Sequence, residues 1–70
     1  MKKEDIGAFL AKRRKSLRIS QRELARICGI SEHALCNLES GEGNPTFDLF
    51  ENVADALGLE IGLTPKKLEG

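Results

Sequence analysis

Residues 20–41, SQRELARICGISEHALCNLESG, constrain the fold more than any other stretch. Two short runs with helical apolar spacing, 21–28 and 32–40, each follow a serine and part at Cys28-Gly29-Ile30. Isolated helices shorter than about 12–15 residues are marginal in water, so each run must be braced by the rest of the chain. Ser20-Gln21-Arg22-Glu23 reads as a capping box: the serine oxygen accepts from the Glu23 amide, and Glu23 reaches back to the amide of Ser20. Gly29 tolerates the left-handed conformation that closes a helix, and Ser31 is a second N-cap. Leu24, Ala25 and Cys28 face inward from the first run, Leu35 and Leu38 from the second. Two short helices joined by a glycine-containing turn of three or four residues are a helix-turn-helix.

The flanking sequence supplies the braces. A first helix is expected over 5–17, with Ile6, Phe9, Leu10 and Leu17 on its apolar stripe and Lys12 and Lys15 on its polar side. Arg13 falls near the middle of that stripe and Arg14 at its edge, so one of the two must snorkel or find a buried partner. A fourth helix is expected over 47–57, capped by Thr46, carrying Leu49, Phe50, Val53, Ala54 and Leu57 inward and stopped by Gly58. Between helices three and four, Ser40 to Thr46 is the longest loop signal. LEIGL, residues 59–63, alternates as a strand does, and Pro65 ends it. A lone strand needs a partner, and no second strand is visible in the chain. The expected fold class is all-α: four to five short helices with a central helix-turn-helix in one domain, 1–70, plus this short C-terminal strand.

Seventy residues can bury only about 60% of the surface that the unfolded chain exposes, so the core is thin. The net charge of zero conceals a polarity. Residues 1–30 carry nine Lys/Arg against three acids, and residues 31–70 carry two lysines against eight acids. Such a domain can offer a basic face to a polyanion, although a merely solvated, salt-bridged surface has the same composition. Two cysteines do not make a disulfide framework. Cys28, His33 and Cys36 provide three of the four ligands a structural zinc wants, so neither metal nor cofactor is expected. No nucleophile–base–acid set is present, and an enzyme is not expected. The first residues lack a signal-peptide h-region, and no apolar run approaches the roughly 18 residues of a membrane span, which points to the cytoplasm.

Gln21, Leu24, Ala25, Cys28, Gly29, Ile30, Leu35 and Leu38, continued by LESGEGNPTFDLFENVADALG, resemble the phage-repressor/Cro-type (XRE) helix-turn-helix family. The likeness runs from about Ile6 to Leu63. It implies a bacterial or phage transcription regulator that binds double-stranded DNA, with helix three as the recognition helix in the major groove. The resemblance assigns Gln21 to a DNA phosphate and Ser31, Glu32, His33, Cys36 and Asn37 to exposed recognition positions. An Asn can bridge adenine N6/N7 and a Glu can accept from cytosine N4. It also implies an ion pair between Arg14 and Glu39, for which Arg13 is a competing candidate by geometry. Family members often carry basic residues just after the glycine at the Gly41 position, where this chain has Glu42 and Gly43. That departure shifts expected phosphate contact toward Lys12, Lys15, Arg18, Arg22 and Arg26.

The ending ADALGLEIGLTPKK resembles the antitoxins of kinase-type toxin–antitoxin pairs, in which a strand after helix four pairs with its copy in a second chain. Other family members place a fifth helix there. A ribbon of Leu59, Ile61 and Leu63 would make a homodimer and imply a palindromic operator. The expected role is therefore a repressor. The alternatives are an antitoxin that also binds a toxin protein, or a protein–protein adaptor without DNA.

Overall fold

A computed structural model describes residues 2–63. Four helices occupy them: α1 (Lys3–Ser16), α2 (Gln21–Cys28), α3 (Glu32–Ser40) and α4 (Phe47–Ala56). Among the described residues no helix is long and apolar enough to cross a membrane. α1 starts two residues before its expected position because Asp5 Oδ2 accepts from the Lys2 amide at 3.1 Å and so caps the first turn. It ends at Ser16 with Leu17 as its C-cap, and just beyond it Arg18, at φ 59°, places a non-glycine residue in the left-handed region while Ile19 N donates to Arg14 O at 3.2 Å.

The core is built from all four helices. Leu24, Leu35, Leu38, Val53 and Leu57 are fully buried, joined by Leu10, Ala25, Phe50 and Ala54. α1 packs on α3, and α2 packs on both α3 and α4. The expected stripe of α1 is wrong in detail. Its buried residues are Gly7, Leu10 and Arg14, while Phe9 and Leu17 are 61% and 42% exposed. The reason lies at Gly7, where a Cβ would overlap the Leu38 carbonyl oxygen. The missing side chain lets the α1 backbone lie against α3, and that approach sets which face of α1 turns inward. Apolar spacing does not register a glycine as a contact surface.

The C-terminal strand does not form: residues 59–63 are irregular, and the described residues contain no strand. One chain offers these residues no ladder partner, so burial decides their course. Leu59 and Ile61 fold back half-buried against the chain's own core, and Leu63 is 98% exposed. No fifth helix occupies 59–63 either. Pro65, read as the strand's end, lies outside the described residues.

Candidate nucleic-acid interface

The turn between α2 and α3 forms as its residues dictate. Ser20 Oγ accepts from Glu23 N at 3.0 Å, and Ser31 Oγ accepts from Ala34 N at 3.0 Å. Glu23 makes no return bond to the Ser20 amide, so only the serine half of the box is present. Gly29 closes α2 at φ 71°, ψ 31°, and Ile30 N donates to Ala25 O at 2.9 Å. From α4, Asn52 Nδ2 donates to the Cys28 carbonyl at 3.0 Å, tying the end of α2 to the fourth helix. The polar Asn52 carried no sequence signal for this bond, because the distance from α4 to that carbonyl is a tertiary fact.

α3 divides sharply. Leu35, Leu38 and Glu39 are buried, while Ser31, Glu32, His33 and Cys36 are exposed and Asn37 is half-buried. Ser40 is exposed and stands four residues beyond Cys36, extending the row Glu32–Cys36–Ser40 along one face. Its spacing from Cys36 was the signal that could have marked it. Arg22 and Arg26 are exposed on α2, Lys12 and Lys15 on α1, and Arg18 on the loop between the two helices.

The inner side of α3 is anchored by charge. Arg14 Nε donates to Glu39 Oε2 at 2.7 Å and Arg14 Nη2 to Glu39 Oε1 at 3.1 Å, both groups buried. Arg14 Nη1 donates to the Ile19 carbonyl at 2.8 Å. Gln21 Nε2 donates to the same Glu39 Oε1 at 2.8 Å. This geometry selects Arg14 over Arg13, which instead donates from Nε to the Leu57 carbonyl at 3.1 Å and covers the end of α4. One Gln21 amide hydrogen is thus committed to the protein, leaving the other for an outside acceptor.

The cysteines and the histidine stay apart in character. Burial pushes the Cys28 thiol up from its ordinary value, which favours the neutral form. His33 and Cys36 are exposed on α3. Among the described residues no three His, Cys, Asp or Glu side chains gather into a group that could hold a metal ion.

Comparison with known proteins bears on this surface. The helix-turn-helix family pattern matches residues 10–63. An uncharacterized HTH-type transcriptional regulator, y4dL, of Sinorhizobium fredii is 39% identical over 67 residues, covering 96% of this chain and 34% of that protein. The cryptic phage CTXphi transcriptional repressor RstR of Vibrio cholerae is 40% identical over 56 residues, covering 80% of this chain and 50% of that protein. The chain therefore spans only a third to a half of the length of these relatives. Two crystal structures of the clp gene regulator ClgR from Corynebacterium glutamicum superpose with TM-scores of 0.77 and 0.79 at 33% and 32% identity. They cover 83% and 84% of this chain, and 62% and 76% of their own.

Proposed function

Since this chain belongs to the Cro/C1-type helix-turn-helix family of transcriptional regulators, we propose that it represses transcription by seating α3 in the major groove of a palindromic operator. The carrying observation is the exposed row of Ser31, Glu32, His33 and Cys36 on a helix whose opposite face is locked by Glu39. A major groove about 12 Å wide admits one α-helix, and a helix with one rigid inner face can present the other without moving. Glu32, His33, Cys36 and Asn37 are the base-reading positions in this proposal. Gln21, Arg22 and Ser31 take phosphates at the amino ends of α2 and α3, where helix dipoles favour anions.

The exposed Lys12, Lys15, Arg18 and Arg26 add sequence-independent attraction. Two copies of the chain, with recognition helices roughly 34 Å apart, would read two half-sites on one face of the duplex. The role is recognition in the cytoplasm, with no catalytic step. The toxin-binding alternative rested on the ribbon strand, and residues 59–63 form none in the single chain. Selection of bound sequences from random duplexes tests the proposal directly. An enriched inverted repeat supports it. Recovery of no consensus, or of none with two-fold symmetry, refutes it.

A further inference from the structure

Gln21, the first residue of α2, is half-buried and reaches inward to the Arg14–Glu39 pair. Its bond of 2.8 Å ends on Glu39 Oε1, the oxygen that also accepts from Arg14 Nη2. Arg14 already gives each Glu39 oxygen a donor, so the pair is complete without Gln21. The third donor therefore serves the side chain that supplies it. A carboxamide is ambiguous beside a phosphate, because its nitrogen donates, its oxygen only accepts, and the two ends have nearly the same shape. A carboxylate held in an ion pair is acceptor-only, so it takes the nitrogen end and rejects the oxygen. The bond thus fixes which way round the carboxamide sits, and the second hydrogen diverges from the same nitrogen.

The backbone beside it is sorted in the same way. Glu23 N and Leu24 N bond Ser20 Oγ and the Ser20 carbonyl, each at 3.0 Å. The amides of Gln21 and Arg22 are those that helix geometry leaves for an outside acceptor. Arg14 Nη1 holds the Ile19 carbonyl at 2.8 Å, just ahead of this end. We infer that Glu39 is a positioning residue for DNA binding: through Gln21 it holds one amide hydrogen ready for a phosphate at the amino end of α2. The inference rests on the phosphate role given to Gln21 above. A loose glutamine would aim its oxygen as readily as its nitrogen and would give up rotamer freedom when DNA arrives. The bond to Glu39 settles both during folding.

A double-mutant cycle tests this. Affinity for the selected operator is measured for the parent, Glu39→Gln and Arg14→Met/Glu39→Met, each with and without Gln21→Ala. All values are scaled to the fraction folded, read by circular dichroism in denaturant. Glu39→Gln keeps the shape but can meet Gln21 as donor or acceptor, so the orientation is no longer fixed. The methionine pair removes both buried charges and keeps the core filled, so it folds even where Glu39→Gln alone does not. In the parent, Gln21→Ala weakens binding by about tenfold, the loss of one hydrogen bond to a charged group. In either altered background the same change costs less than about threefold. An equal cost in every background makes Glu39 purely structural; it overturns the inference and leaves the Gln21 phosphate contact standing. A parent indifferent to Gln21→Ala, or one that binds no duplex, overturns the phosphate reading and this inference with it.

Discussion

Arg14 on α1 and Glu39 near the end of α3 meet through two hydrogen bonds of 2.7 and 3.1 Å, both side chains withdrawn from solvent. Every hydrogen-bonding nitrogen of the guanidinium is used, since Nη1 holds the Ile19 carbonyl, and Glu39 also accepts from Gln21. One carboxylate therefore joins α1, the amino end of α2 and the last turn of α3. The pair acts less as a source of net stability than as a constraint on how the three helices meet.

Removing one partner of such a pair leaves the other charge buried alone, at a cost of about 3–5 kcal/mol. Glu39→Ala is expected to lower the melting temperature sharply, since about 1 kcal/mol moves the midpoint of a domain this size by about 4–8 °C. Replacing both residues with apolar ones of similar volume should recover most of that loss. Thermal unfolding of the two single variants and the double variant measures it. Additive losses would show that the two groups act independently.

Gly7→Ala drives a methyl into the Leu38 carbonyl oxygen and places it 2.9 Å from that of Glu39. Backbone must move, at a cost of about 1–3 kcal/mol or more. At Gly29 a Cβ meets nothing within 4 Å, but φ is +71°, so Gly29→Ala costs about 1–2 kcal/mol through the backbone alone. Because the Gly7 change displaces α3, it should also weaken DNA binding among molecules still folded. Chemical denaturation with binding measured on the folded fraction checks both.

Arg18 holds a left-handed backbone at φ 59° on an exposed loop just before α2. Arg18→Gly relieves that strain and is expected to raise stability by up to about 1 kcal/mol. If the side chain serves a phosphate, the same change reduces the slope of log K against log salt by about one unit. Denaturation and salt titration of binding together read the two effects, and an unchanged slope removes Arg18 from the interface.

Ser31 separates capping from recognition. Its Oγ accepts from Ala34 N at 3.0 Å, so Ser31→Ala should cost about 1 kcal/mol. Ser31→Asp keeps the cap, because aspartate caps as well as serine, and places a negative charge where a DNA phosphate is proposed to lie. The aspartate variant should melt with the parent yet bind DNA more weakly, a difference that melting curves and gel shifts would expose together.

Asn37→Ala tests base reading. Without the carboxamide's paired hydrogen bonds to a base edge, preference at one position of the operator should relax by about 1–3 kcal/mol, with the salt dependence unchanged. Repeating the selection experiment with the variant shows whether that position becomes indifferent to sequence.

How much was legible follows from the range of each interaction. Ser20, Gly29, Ser31 and Thr46 act on backbone groups within a few residues, so the caps and the turn could be placed from local chemistry. α2 and α3 came out at their expected bounds. The inward Leu24, Ala25, Leu35 and Leu38 followed from spacing alone. The choice between Arg13 and Arg14 was not settled by spacing. Both lay near one stripe, and only the positions of the Leu57 carbonyl and the Glu39 carboxylate separated them.

By itself, the order of residues determined the helix-turn-helix: which short segments coil, where they stop, and which side chains one of them turns outward. Tertiary structure alone decided the rest. It settled the face that α1 buries, the bond from Gln21 to Glu39, the bond from Asn52, and the fold-back of Leu59 and Ile61 in place of a strand. Each of these depends on a distance between segments far apart in the chain, and periodicity within a segment carries no information about such a distance.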